Sequence, residues 1–329
     1  MVPTLAADPA LTECLRSLQS QSTRDFQVIV VDNSGSGRAR NLLPPGSSAR
    51  LIQNPFNAGF GAAVNQGIES SQSEFVATLN DDAVACSGWI AALLRAVKDR
   101  PDVGLLASQV RLQGTGTLDS AGMLIAGDAS SKQRGHGASV KQFDRSEDVL
   151  FPSGSAAMYR RTMLEEIGGF DGEFFLYCED TDLGLRALWT GWRCLYVPDA
   201  IVEHRYSHSA GRASALKAYY VERNRLYVAV KNFPLRMLAL APFVAIFRYV
   251  WHVIYMLRGQ GKAAEFAQEG GGGAMLAWFV VRAHLSAVFA LPKLLAKRRR
   301  IRSHARISSL EFSRMLRQHW LTSKQVAAH

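Results

Sequence analysis

The sequence predicts an α/β fold, a mostly parallel sheet with flanking helices, followed by a basic and apolar helical C-terminal region. Three observations carry this reading. The runs Phe26–Val31 and Phe75–Leu79 are almost unbroken apolar stretches, as expected of strands buried on both faces of a parallel sheet. Segments with helical spacing alternate with them, the signature of a layered α/β domain. The charge also divides: residues 1–204 hold 17 Lys+Arg and 24 Asp+Glu, whereas residues 205–329 hold 21 and 4. A net of −7 followed by +17 underlies the overall +10 and marks two regions with different tasks.

The elements follow in order. Asp8-Pro9 reads as an N-cap and first-turn proline, after which Leu11, Leu15 and Leu18 share one helical face. The strand Phe26–Val31 ends at Asp32, and Phe75–Leu79 ends at Asn80-Asp81-Asp82. Ser87 can cap a helix with Ile90, Leu93, Leu94 and Val97 inward. Val103–Val110 is another strand, residues 111–150 are long loops or short strands, and the apolar pattern returns at Ser153–Tyr159. Thr162–Ile167 is a short helix closed by Gly168-Gly169, and Thr181–Thr190 is a helix closed by Gly191. Arg193–Val197 is a strand ended by Pro198. Long apolar helices flanked by Arg and Lys follow His204, interrupted at Gly270–Gly273, and Lys297–Arg300 starts a basic tail.

Composition sets the bounds. With 329 residues, 48% hydrophobic and 20% charged, the chain can bury a sizeable core and is not disordered, collagen-like or a disulfide scaffold. Cys14, Cys86, Cys178 and Cys194 show no C-x-x-C spacing, so they read as reduced thiols rather than a zinc knuckle or redox pair. No signal-peptide pattern opens the chain. The longest uncharged apolar runs, Met237–Phe247 and Gly270–Val281, are stopped by Arg248 and Arg282, so neither makes a spanning helix by itself.

Ligands of open α/β sheets bind at the carboxyl ends of strands, where Asp32, Asp81 and Asp82 fall. A loop carboxylate can simply hold a turn, but two acidic strand ends in one domain suit a hard cation that holds phosphates. Downstream, Phe174-Phe175-Leu176-Tyr177 precede Glu179, Asp180 and Asp182. Helix capping by Asp180 or Thr181 explains part of this cluster. The aromatic wall points further, because desolvation raises a carboxyl pKa towards general-base use. His204 is either a structural histidine or a third metal position.

Phe26–Asp32 with Asn33, Asn57-x-Gly59 with Asn65, Leu79–Asp82, Gly169-Phe170-Asp171 through Glu179-Asp180, and Pro198 to His204 together resemble the inverting family 2 glycosyltransferases, which have the GT-A fold. Glu222-Arg223-Asn224-Arg225 and Lys231-Asn232-Phe233-Pro234 are similar to its rhamnosyltransferase-like branch, which works on cell-surface polysaccharides. The resemblance implies that Asp32 holds the nucleotide base or ribose, Asp82 a divalent Mg or Mn ion on the diphosphate, and Asp180 the acceptor proton. It implies that His204 lies near diphosphate and metal. Pro3, Thr4, Asn57, Gly59, Asn65 and Asp81 fall on the donor side by the same resemblance, with Gly154, Glu179, Asp182 and Trp192 on the acceptor side or in support. Asn57-Ala58-Gly59 also reads as a plain turn. The implied donor is a dTDP- or UDP-linked sugar, preferably dTDP-rhamnose, and the implied acceptor a polyprenyl-linked saccharide or polysaccharide. One departure stands out: Met1-Val2-Pro3-Thr4 begins almost at the turn that usually follows a full first strand, so a truncated strand is expected beside the nucleotide.

The expected organisation is a GT-A domain over residues 1–215 and a helical region over 216–329. Aromatic and aliphatic helices flanked by arginine are suited to the headgroup layer, and Lys297–Arg300 with Arg302 to anionic lipid. This reading places the protein peripherally on the cytoplasmic face of the cell membrane. Ordinary core helices or an oligomer interface form the second reading. Nucleic acid is disfavoured, since no stacking platform accompanies the charge. Two rival functions share the acidic strand ends, a non-catalytic sugar-nucleotide-binding scaffold and a nucleotidyltransferase. The latter lacks the glycine-rich basic phosphate loop it would need.

Overall fold

The computed structural model describes residues 1–6, 9–205, 215–261, 266 and 273–328, so the Asp8 cap and the run 270–272 lie outside the described residues. The chain forms two compact units. The first comprises Met1–Met123, Gln133–Ala187 and Trp192–Ser209, and the second Leu124–Lys132, Leu188–Gly191 and Ala210–His329.

In the first unit strands and helices alternate: β1 (Val2–Thr4), α1 (Ala10–Gln19), β2 (Ile29–Asp32), α2 (Ala39–Leu42), β3 (Arg50–Gln53), α3 (Phe60–Glu69), β4 (Phe75–Leu79), β5 (Ala83–Ala85), α4 (Trp89–Val97) and β6 (Val103–Leu112). The opening strand is present as three buried residues, parallel to β2. It is joined to β4 by the Leu79 N–H, which donates to the Met1 carbonyl at 3.0 Å. Helix α4 is capped by Gly88 and not by Ser87, because its first turn opens one residue later than the sequence pattern indicates. Its inward face carries Ile90, Leu93 and Val97 as expected.

The region read as loops and short strands holds β7 (Leu118–Ser120), β8 (Met123–Ala126), β9 (Ser131–Gln133) and β10 (Glu147–Val149). After it come β11 (Ala156–Arg160), α5 (Arg161–Ile167), α6 (Glu179–Trp189) and β12 (Arg193–His204). The sheet order is β10-β12-β6-β11-β4, with β11 antiparallel to both β4 and β6, and β12 parallel to β6. Strands β4, β6 and β12 therefore point the same way. Pro198 does not end β12; the strand absorbs it in an irregularity between Val197 and Ile201 and continues to His204. Helix α6 starts at Glu179, so Asp180 and Thr181 lie in its first turn and neither is the cap.

The second unit is helical: α7 (Ala215–Asn232), α8 (Leu235–Leu257), α9 (Gly273–Ser303) and α10 (Ser309–Gln318), then β13 (Trp320–Leu321) and α11 (Ser323–Ala328). Helix α9 packs along α7, and α11 along α8. Trp189 stacks on Phe312 with ring centroids 3.9 Å apart, and the Arg302 guanidinium lies 3.5 Å from the Trp189 ring centre. Lys297–Arg300 is thus part of a continuous helix rather than the start of a tail. Arg248 does not stop α8 either. Its side chain is buried, with Nε donating to Asp128 Oδ2 at 2.5 Å and Nη2 to Glu222 Oε2 at 2.9 Å. Arg225 and the Tyr249 hydroxyl also bind Glu222. With its arginine neutralised in this way, α8 runs for 23 residues, and α9 for 31. Both helices are long and apolar enough to cross a membrane by length and composition, at mean hydropathy 1.7. Each exposes an apolar stripe, Leu240, Phe243, Phe247 and Val250 on α8 and Trp278, Val281, Leu285 and Phe289 on α9.

Candidate active site

The site gathers where β4 and β12 end. Thr4, the last residue of β1, donates its hydroxyl to Asp81 Oδ2 at 2.5 Å and accepts the Ala6 N–H at 2.8 Å. Pro3 is buried in the strand opposite Val31. Asp32 is almost fully buried, and both its oxygens hold backbone: Oδ1 accepts from Ser34 N at 2.9 Å and Oδ2 from Ala39 N at 3.1 Å. This carboxylate therefore shapes the loop after β2. Asn57 Oδ1 accepts the Gly59 N–H at 2.9 Å, so the Asn57-Ala58-Gly59 turn is closed by its own side chain. Gly59 needs to be glycine: its φ is +90°, and a Cβ would come within 2.4 Å of the Phe175 carbonyl. That carbonyl accepts the Phe60 N–H at 2.8 Å, tying the turn to the aromatic segment ahead of α6.

Asp180 is half-buried and positioned by three donors. Oδ2 accepts the Gly154 N–H at 3.0 Å, while Oδ1 accepts the Thr181 N–H at 2.6 Å and the Thr181 hydroxyl at 3.2 Å. Burial raises its pKa, against the lowering effect of these bonds. The neighbouring Glu179 carboxyl is pushed up to about 8, first by burial and then by the Asp180 charge, and its Oε2 has no hydrogen-bond partner. The loop holding Gly154 also holds the β4 end, since Ser155 O accepts the Asn80 N–H at 2.8 Å. Asp180 and the Asn80–Asp82 segment thus share one support.

Asp82 and His204 meet, with Oδ1 and Nε2 3.1 Å apart. The other ring nitrogen, Nδ1, lies 2.8 Å from Asp119 Oδ2, and Asp119 Oδ1 lies 3.2 Å from His136 Nδ1. Burial works against a charged imidazole, but hydrogen bonds to Asp119 and Asp82 outweigh it and push His204 up to about 9. Among the described residues, no three His, Cys, Asp or Glu side chains are grouped so as to hold a metal ion by themselves. The Asp82–His204 pair is nevertheless an oxygen–nitrogen donor set of the kind that fits a divalent cation sharing its remaining positions with phosphate and water.

Three expected site residues are engaged by neighbouring backbone or side chains. Asn65 spends both ends of its amide on the Phe170 backbone, donating to O at 2.7 Å and accepting from N at 2.8 Å. Asp182 is fully buried and ion-paired with Arg186 at 2.8 Å, and Arg186 in turn donates to the carbonyls of Ile167, Gly168 and Gly169. Trp192 precedes β12, whose site end is His204, a distance of twelve residues at about 3.3 Å each. Its Nε1 donates to Glu166 at 2.9 Å. Asp119 and His136 were not legible as site residues.

The model of the glycosyltransferase like family 2 matches residues 1–229. The chain belongs to glycosyltransferase family 2. It is 32% identical over 243 residues to the N-acetylglucosaminyl-diphospho-decaprenol L-rhamnosyltransferase of Mycobacterium tuberculosis, covering 66% of this chain and 79% of that one. It is 24% identical over 216 residues to the O-antigen chain rhamnosyltransferase WbaN of Salmonella anatum, covering 64% and 66%. Among solved structures, the mannosyltransferase PcManGT from Pyrobaculum calidifontis in complex with GDP-Man and Mn²⁺ superposes with a TM-score of 0.52 at 17% identity, over 88% of this chain and 85% of that one. GalNAc-T7 with UDP, GalNAc and Mn²⁺ gives the same TM-score at 14% identity, over 65% of this chain and 44% of that one. The fold of this family 2 glycosyltransferase is GT-A, and two of its relatives, those of Mycobacterium tuberculosis and Salmonella anatum just described, are rhamnosyltransferases.

Proposed function

We propose that this glycosyltransferase moves rhamnose from a dTDP-linked donor to a polyprenyl-diphosphate-linked saccharide, with inversion, at the cytoplasmic face of the membrane. The carrying observation is the Asp180 carboxylate, held by Gly154 and Thr181 on the same support as the Asp82–His204 pair. In this reading an acceptor hydroxyl oxygen attacks the anomeric carbon and its proton passes to Asp180. The bond from that carbon to the diphosphate breaks, and the electron pair leaves with the diphosphate. A divalent cation, when bound, neutralises the charge developing on the leaving diphosphate. Asp82 and His204 would hold it. Burial of Asp180 raises its basicity, which suits a general base working near neutral pH.

Thr4 and Asp81 are assigned to the donor side, with Asn57 and Gly59 shaping the loop there. Residues 1–215 are read as the catalytic domain and 216–329 as the membrane-associating region. The exposed apolar stripes of α8 and α9, together with exposed Arg299 and Arg300, support attachment to anionic lipid. The lipid carrier follows from the decaprenol-linked substrate named for the Mycobacterium tuberculosis relative. The test is turnover of a panel of sugar nucleotides with Mg²⁺ or Mn²⁺ and a polyprenyl-diphosphate disaccharide precursor. Release of a nucleoside diphosphate coupled to sugar transfer is expected. Nucleotide binding without transfer would support the scaffold reading, and pyrophosphate release a nucleotidyltransferase.

A further inference from the structure

We infer that Asp119 is a positioning residue, holding His204 so that Nε2 faces Asp82 and is presented to the cation; this rests on the metal reading above. Asp119 lies on β7, which pairs with β6 through Val110↔Ser120 and Arg111↔Leu118. The two pairs are one residue apart on β6 and two apart on β7, so Asp119 is the extra residue of a β-bulge. Bulges re-aim one side chain out of the strand alternation. Here the re-aimed carboxylate is buried and receives His204 Nδ1 at 2.8 Å.

The consequence is chemical. A histidine ring turns about χ1 and χ2, and each orientation offers a different nitrogen to the site. With Nδ1 held by Asp119 at 2.8 Å, the ring plane is set and Nε2 is the nitrogen turned to Asp82, 3.1 Å away. A ligating histidine whose other ring nitrogen is held by a carboxylate gains both a defined tautomer and greater basicity. Asp119 is itself held. Its Oδ1 lies 3.2 Å from His136 Nδ1, and the same nitrogen lies 3.1 Å from the Asp119 backbone carbonyl. The order Asp82, His204, Asp119, His136 is therefore a line of paired groups running from the strand ends to a histidine whose side chain is 30% exposed. A purely structural ion pair would not need the bulge: His204 is already on β12, flanked by β5 and β6.

The experiment measures Mn²⁺ affinity of the full chain by electron paramagnetic resonance, with and without a nucleoside diphosphate. Wild type is compared with Asp119→Ala, Asp119→Asn, His204→Ala and the Asp119→Ala/His204→Ala double variant, all checked for native fold by circular dichroism. Asp119→Ala is expected to weaken Mn²⁺ binding about 10- to 100-fold. Asp119→Asn, which keeps an acceptor for Nδ1–H, is expected to lose less. The double variant is expected to bind no more weakly than His204→Ala, since Asp119 acts only through that ring. Equal Mn²⁺ affinity in folded Asp119→Ala and wild type, or full additivity in the double variant, overturns the inference while leaving the metal reading intact. If Asp119→Ala does not fold, Asp119→Asn decides: no loss of affinity together with an unchanged His204 tautomer in ¹⁵N spectra overturns it. Wild type that fails to bind Mn²⁺ even with nucleotide present removes the metal reading, and the inference with it.

Discussion

Asp180 Oδ2 lies 3.0 Å from the Gly154 N–H, and this bond joins the first turn of α6 to the loop that also anchors the end of β4. The carboxylate is thus oriented by backbone, which a side-chain substitution elsewhere does not easily disturb. Asp180→Asn keeps one acceptor oxygen, for the Gly154 or the Thr181 N–H, and cannot take a proton from the acceptor hydroxyl. Transfer is expected to fall by about 10²- to 10⁴-fold, the usual contribution of a general base. Donor affinity, read by protection against thermal unfolding, is expected to stay within about twofold. Undiminished transfer would remove Asp180 from the mechanism.

The Thr4 hydroxyl donates to Asp81 Oδ2 at 2.5 Å. Thr4→Val keeps the shape of the side chain and removes this bond together with the one accepted from the Ala6 N–H. A hydrogen bond to a charged group contributes about 1.5–3 kcal/mol, so the donor KM is expected to rise at least about tenfold with a smaller change in kcat. Steady-state kinetics with varied sugar nucleotide checks this.

Asp182 and Arg186 form a buried pair that also clamps the three carbonyls at the end of α5. Asp182→Ala leaves a buried guanidinium without its carboxylate, which costs about 3–5 kcal/mol. The midpoint of urea unfolding is expected to fall accordingly. A variant that is equally stable would contradict the scaffold role assigned here.

Two groups give opposite pH signatures. Burial opposes the Glu222 charge, but Arg225 and Arg248 outweigh it and hold this carboxyl well below its usual range. Its contribution is therefore present above the ordinary carboxylate pKa and is lost as pH falls through the depressed folded value. Glu179 is the reverse. Its folded pKa of about 8 means that stability falls as pH rises from the ordinary range through 8. Glu179→Gln is expected to flatten the decline of Tm between about pH 5 and 8, and Glu222→Gln to flatten the acid limb, each measured by calorimetry.

Arg299 and Arg300 are exposed near the end of α9, whereas Arg302 packs on Trp189 and Arg298 donates to the Val230 carbonyl. Each basic residue near an anionic surface contributes roughly 1 kcal/mol. Replacing Arg299 and Arg300 by Ala is expected to weaken flotation with anionic liposomes about ten- to thirtyfold at low salt. Binding indifferent to both salt and lipid charge would count against this attachment.

Most of the α/β order was legible because buried strands and one-sided helices impose local periodicities: Phe75–Leu79 is a strand at the predicted boundaries, and Ile90, Leu93 and Val97 face inward on α4. The acidic residues at the strand ends were legible for the same reason, since the apolar run stops at them. Sequence could not decide which of those carboxylates face the site. Asp32 turns to the backbone of the loop that follows it, whereas Asp82 turns to His204, 122 residues away in the chain. Nor could it show that Arg248 is compatible with a continuous helix, because the compensating charges, Asp128 and Glu222, lie 120 and 26 residues away. Asp119 is the clearest case. Its role depends on a one-residue bulge against β6, and a bulge is a property of the pairing between two strands rather than of either strand's sequence.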